Sequence, residues 1–96
     1  MASPNAHAEE ATMPRYYFHV LNGIVNAEDR DGVELSDISA ATSRARSHLA
    51  ELLADEIRGG GKAVHIVVMV HDDAGDRVVT LNSETRVVDT VNPFAS

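Results

Sequence analysis

Three histidines are the residues of this sequence best suited to metal or acid–base chemistry. His19, His65 and His71 fall in segments rich in β-favouring residues, where alternating side chains can place all three on one sheet face beside Tyr17. His65 and His71 are roughly 20 Å apart along one strand, so they cannot bind the same ion. Either could do so only with His19 and a carboxylate from a neighbouring strand. No ligand motif accompanies them, so surface or interface histidines are the simpler interpretation.

Other signatures of catalysis or cofactor binding are weak. The absence of cysteine excludes thiolate catalysis, disulfides and cysteine-bound zinc. The turns at Asp29–Gly32 and Asp72–Gly75 suggest calcium loops, but aligning either glycine puts an apolar residue at the first ligand position. The glycines of Gly59–Lys62 follow a helix and precede a strand, the reverse of a phosphate loop. We expect no catalytic residue, no cofactor and no metal, and predict that the protein is not an enzyme.

The charge balance limits the classes of partner. Eight basic and fifteen acidic residues give a net charge of -7, and the bases are spread along the chain, which disfavours phosphate backbones. No apolar run approaches the roughly 20 residues of a membrane span, and residues 1–12 lack the features of a secretory signal. We therefore expect no nucleic-acid partner, no membrane association and a cytoplasmic location. The length of 96 residues indicates one domain.

The first structured segment is predicted to be a β-hairpin. Arg15–Leu21 is rich in aromatic and β-favouring residues and leads into Asn22-Gly23, a typical two-residue hairpin turn. The return strand covers about Ile24 to Ala27. Residues 1–12 are small, polar and acidic, and we expect them to be a disordered extension.

A single helix is predicted next. Ser36 is the preferred N-cap, with Asp37 adding negative charge where the helix dipole favours it. The helix ends at Gly59-Gly60-Gly61. Apolar residues recur at three- and four-residue spacing and define one buried face: Ile38, Ala41, Ala45, Leu49, Leu52, Leu53 and Ile57. We expect Leu49, Leu52, Leu53 and Ile57 to supply the main helix contribution to the core.

A second hairpin follows the helix. Ala63–His71 is a nearly continuous apolar strand, Asp73-Ala74-Gly75 makes a turn, and Arg77–Asn82 returns. The domain therefore covers residues 13–83, and residues 84–96 form a tail with room for a short edge strand at Thr85–Val88. The predicted fold class is α+β with the order ββαββ: two antiparallel hairpins form one sheet, and the helix packs on one face.

Several of these segments resemble a known family. The run Met13-Pro14-Arg15-Tyr16-Tyr17-Phe18-His19-Val20, then Asp31–Asp37, then the alanine-rich helix and Asp72–Val79, is similar to a bacterial domain-of-unknown-function family. Its members are small proteins of alphaproteobacteria that open with M-P-R-Y-[YF]-F-x-[VI]. The resemblance covers about residues 13–82. Because that family has no assigned activity, the resemblance implies fold and origin only.

The second hairpin suggests a function through its two apolar faces. A three-residue turn places Val64, Ile66, Val68 and Val70 on one face with Val78 and Thr80, and leaves Val67 and Met69 with Val79 and Leu81 on the other. One helix cannot cover both faces, and an exposed apolar patch usually marks an interface.

We therefore predict a non-enzymatic protein-interaction module that forms a homodimer or binds a small protein partner. The candidate interface residues are Tyr17, His19, His65, Val67, Met69, Val79 and Leu81. Two alternatives stay open. One is a small-ligand or metal-binding protein that uses the sheet histidines, and the other is an antitoxin-like regulator, since the hairpin-plus-helix outline is similar to that of small antitoxin domains.

Overall fold

The computed structural model describes residues 13–23 and 25–94, so the predicted disordered extension, residues 1–12, lies outside the described residues. The described chain forms one helix and a five-stranded antiparallel sheet, which confirms the α+β class and the order ββαββ. No helix within the described ranges is long and apolar enough to cross a membrane. The elements are β1 (Arg15–Asn22), β2 (Val25–Ala27), β3 (Val33–Glu34), α1 (Ile38–Arg58), β4 (Ala63–His71) and β5 (Arg77–Arg86).

The two hairpins join into one sheet through their first strands. The strand order is β2-β1-β4-β5, and the short β3 pairs with the same edge of β1 as β2 does. Strands β1 and β4 are antiparallel, with Tyr17 opposite His71 and Leu21 opposite Val67. The turn between β1 and β2 contains Gly23 at φ 56°, as the Asn22-Gly23 signal predicts. Helix α1 provides the connection to β4.

The register of the second hairpin differs from the prediction by one residue. His71 pairs with Arg77, but Val70 pairs with Val79, so the extra residue Val78 forms a β-bulge. Because side chains alternate along a strand, this slip exchanges the two faces of β5. Val79 and Leu81 therefore face the helix, and the prediction that they share a face with Val67 and Met69 is wrong.

The N-cap of the helix lies one residue later than the predicted N-cap, Ser36. Asp37 is the N-cap, and its Oδ1 accepts a hydrogen bond of 2.8 Å from the amide of Ala40. Ser36 and Asp37 are both good capping residues, so their types alone do not choose between them. At the other end Gly59 caps the helix, and Gly60 takes a φ of 92°.

The core lies between α1 and one sheet face. Ala41 and Ala45 are fully buried, and their small side chains allow the helix to approach the sheet closely. The predicted helix face is correct in the middle, where Leu49, Leu52 and Leu53 pack against the core, but wrong at the ends. Ile38 and Ile57 lie in the first and last turns and are 49% and 40% exposed. The buried sheet residues are Tyr16, Phe18, Val20, Val64, Ile66, Val68 and Val70.

The C-terminal segment extends β5 and then leaves the sheet. Strand β5 runs through Thr85 and Arg86, so the predicted separate edge strand at Thr85–Val88 is in part the end of β5. The amide of Val87 donates to the carbonyl of Lys62 at 2.7 Å. Beyond it, Val88, Val91 and Phe94 are 73%, 83% and 93% exposed. Residues 88–94 therefore do not cover the sheet.

Candidate functional site

The sheet face opposite the helix, which we call the open sheet face, contains most of the predicted interface. The strand registers place five of the seven candidates there, Tyr17, His19, His65, Val67 and Met69, while Val79 and Leu81 lie on the helix side. The described residues of the open sheet face are Arg15, Tyr17, His19 and Leu21 on β1, Asn26 on β2, Glu34 on β3, Ala63, His65, Val67, Met69 and His71 on β4, and Arg77, Thr80, Asn82, Glu84 and Arg86 on β5.

Several side chains of the open sheet face contact a side chain on the neighbouring strand. His65 Nε2 lies 2.7 Å from Asn82 Oδ1, and Arg77 Nη1 lies 3.7 Å from the sulfur of Met69. Both pairs link β4 to the edge strand β5. These side chains therefore stabilise the pairing of β4 with β5.

His19 and His71 form a second pair at the other end of the face. Their ring centroids are 4.9 Å apart at an interplanar angle of 57°. His19 Nδ1 accepts a hydrogen bond of 3.1 Å from the amide of Asp29, so a neutral His19 carries its proton on Nε2. Such a ring has no free lone pair for a metal ion. His71 Nδ1 is buried, and no hydrogen-bond partner for it occurs in the described part of the chain.

The geometry does not favour the metal-binding alternative. His65 lies away from the His19–His71 pair, at the opposite end of β4. Within residues 13–23 and 25–94, no group of three or more histidine, aspartate or glutamate side chains is arranged to hold a metal ion.

The carboxylate of Asp29 is a structural group that organises the loop between β2 and β3. Its Oδ2 accepts from the amide of Phe18 at 3.0 Å, and its Oδ1 accepts from the amides of Asp31 and Gly32, both at 3.1 Å. Burial opposes ionisation of this carboxyl, but the three amide hydrogen bonds and the nearby His19 outweigh it and hold the pKa of Asp29 below its usual value. The carboxylate thus ties the loop to β1.

Arg15 on β1 also binds the loop between β2 and β3. Its guanidinium donates to the carbonyl of Asp31 at 2.8 Å and forms an ion pair of 2.7 Å with Glu34. Its amide donates to Asp73 at 3.2 Å, so the turn of the second hairpin meets the loop here. Gly32 adopts a φ of 71°, and a Cβ there would lie 2.7 Å from Arg15 Cγ. The acidic turns that suggested calcium loops are therefore held by amide and guanidinium donors.

The sequence did not indicate a groove beside the helix. A cavity of about 710 Å³ lies between α1 and the β1–β3 side of the sheet. The helix residues that line this groove are mostly polar, but polar residues on a helix usually face solvent and do not by themselves indicate a groove. Which flank of the helix meets β1 depends on the sheet order, which local patterns do not reveal. The lining residues are Phe18, Val20, Asn22, Ala27, Glu28, Asp29, Val33, Arg44, Ser47, His48, Glu51 and Leu52.

Comparison with known proteins confirms one part of the expectation, that the chain contains a domain of unknown function. Residues 15–83 match the family model of a domain of unknown function, DUF6894. The match starts just after Met13-Pro14, includes the first hairpin, the loop, the helix and β4, and ends within β5. No curated protein and no solved structure matches the chain.

Proposed function

The chain belongs to the DUF6894 family of domains of unknown function, and from this premise we propose that it is a non-enzymatic interaction module that self-associates through the open sheet face. The observation that supports this proposal most is the charge of that face. Its described charged residues are three arginines and two glutamates, Arg15, Arg77, Arg86, Glu34 and Glu84, so their formal charges nearly cancel, whereas the whole chain carries -7. Two copies can therefore meet there with little like-charge repulsion.

The composition of the centre of the face also suits an interface. Tyr17, Leu21, Val67 and Met69 form an apolar strip across β1 and β4, and each is only partly exposed. Aromatic and methionine side chains are enriched in interfaces, and charged residues are depleted from their centres. The open sheet face shows this distribution, because its charged residues lie at its margins, on the edge strands β3 and β5 and at the start of β1.

The size of the face fits a weak homodimer. Four strands at the usual spacing give a width of about 20 Å, and the paired residues span about 25 Å along the strands. Each copy would then contribute roughly 500 Å², and a pair roughly 1,000 Å², which is the lower limit of specific interfaces. We therefore expect a two-fold dimer that dissociates on dilution.

Sedimentation equilibrium tests this proposal. The full chain should show a concentration-dependent dimer, and Met69→Glu should be monomeric because it buries an unpaired charge at the centre of the face. Ile38→Glu is the matched control, since Ile38 is an exposed apolar residue of the helix. A wild-type chain that stays monomeric up to about 1 mM, a concentration at which even weak complexes form, would refute self-association. Equal dimerisation of wild type and Met69→Glu would place the interface elsewhere.

A further inference from the structure

The groove beside α1 exists because one helix cannot cover the whole sheet. A helix is about 10 Å wide and strands are about 4.8 Å apart, so α1 covers roughly two strands. It packs on β4 and β5. The helix-side face of β1 therefore lies beside the flank of the helix, where the groove floor is formed by Phe18 and Val20, each 8% exposed, and by the partly buried Val33. The cavity of about 710 Å³ is within the range of small-molecule sites.

The helix wall of the groove carries four polar side chains on one flank. Arg44, Ser47, His48 and Glu51 have the spacing i, i+3, i+4 and i+7, which aligns them along the groove. None of the four side chains makes a hydrogen bond or an ion pair with another residue of the described chain. The groove thus combines an apolar floor with a wall of unused hydrogen-bonding groups.

The polar residues on the other sides of the groove are already engaged. The Asp29 carboxylate accepts three amide hydrogen bonds, and Asn22 donates to Glu56 at 2.9 Å. Glu28 lies 3.9 Å from Arg30. The charges left without a partner are therefore the guanidinium of Arg44 and the carboxylate of Glu51. Seven residues of helix separate them by about 10 Å along the axis.

We propose that this groove binds a short zwitterionic peptide of about three apolar residues. Its carboxylate contacts Arg44, its ammonium contacts Glu51, and its side chains lie on the apolar floor. Ser47 and His48, between the two charges, supply hydrogen bonds to the peptide backbone. An extended tripeptide has a length of about 7–10 Å, which fits the separation of the two charges. A single amino acid carries both charges on one carbon and is too short to reach both partners.

The groove and the open sheet face lie on opposite sides of the sheet, so the peptide site does not overlap the proposed dimer interface. Ligand binding and self-association can therefore be tested separately on the same protein.

Isothermal titration calorimetry of the full chain with trileucine tests the site. We expect saturable binding, weakened about ten-fold when the peptide carboxylate is amidated or when its amine is acetylated, because each change removes one charge-assisted contact. Arg44→Gln should weaken binding of the free peptide by a similar factor. Arg46→Gln is the matched control, because Arg46 is an exposed helix arginine outside the groove.

The assignment of each charge is tested by combining the changes. Amidation should have no further effect on the Arg44→Gln variant, and acetylation should have no further effect on Glu51→Gln. Absence of saturable heat with trileucine in the millimolar range would overturn the proposal. It would also be overturned if the doubly blocked peptide bound as tightly as the free one, or if Arg46→Gln weakened binding as much as Arg44→Gln.

Discussion

Replacing Asp29 by asparagine tests the structural role of its carboxylate. Asparagine can keep one oxygen towards the amides of Asp31 and Gly32, but it then presents an NH₂ group to the amide of Phe18. One charge-assisted hydrogen bond is lost and two become neutral. A hydrogen bond to a charged acceptor contributes about 1.5–3 kcal/mol to the free energy of unfolding, and a hydrogen bond to a neutral acceptor contributes about 0.5–1.5 kcal/mol. Because Asp29 is partly exposed, water replaces some of the loss, and we expect a destabilisation of about 2 kcal/mol at pH 7.

The effect of Asp29→Asn should depend on pH in a defined direction. The pKa of Asp29 is lowered in the folded state, so its stabilising contribution is complete above the unfolded value of 3.8 and is lost as the pH falls through the folded value. Wild type and Asp29→Asn should therefore differ in free energy of unfolding at pH 7, and the difference should begin to shrink as the pH falls below about 4.

Urea denaturation from pH 3 to pH 7 measures this difference, and a loss of 2 kcal/mol corresponds to a Tm lower by about 10 °C. The matched control is Asp31→Asn in the same loop, since the Asp31 side chain makes no hydrogen bond within the described residues. Equal effects of the two substitutions, or a difference that is no smaller at pH 3 than at pH 7, would refute the role assigned to the carboxylate.

Three further predictions concern packing. Gly32→Ala should destabilise the fold much more than Gly75→Ala. Both glycines have a positive φ, but only at Gly32 would a Cβ clash, with the side chain of Arg15. Thermal denaturation of the two variants measures the difference. Ile66→Ala should cost about 3 kcal/mol in chemical denaturation, since Ile66 is fully buried, and a loss below about 1 kcal/mol would contradict the assigned core. Removing residues 88–94 should leave the Tm nearly unchanged, because their apolar side chains are exposed; a clear drop would show that they pack on the domain.

Much of the architecture could be predicted because its signals are local. The Asn22-Gly23 turn, the apolar stripe of the helix and the glycines that follow it each depend on neighbouring residues only, and the structure shows the elements that they predict. The opposite faces of β1 and β4 were also assigned correctly, so Tyr17 and Met69 lie on the open sheet face as expected.

The parts that sequence reasoning missed depend on contacts between distant segments. The groove exists because α1 packs over β4 and β5 and away from β1, and no local pattern records that choice. The same holds for Asp29, whose carboxylate looked like a metal ligand by type but is occupied by the amide of Phe18 on another strand.

The bulge at Val78 has a consequence for how related chains could diverge. Strand β4 carries aliphatic residues on both of its faces between Val64 and Val70, and Val78 and Val79 are adjacent on β5. Two registers of β5 against β4 would therefore bury similar apolar side chains, so they are nearly degenerate in hydrophobic burial. The bulge at Val78 breaks that degeneracy, because it adds one residue to β5 between the pairs His71–Arg77 and Val70–Val79. A relative whose second hairpin paired without the bulge would exchange the inner and outer sets of β5, so Val79 and Leu81 would lie on the open sheet face and Val78 and Thr80 would face the helix.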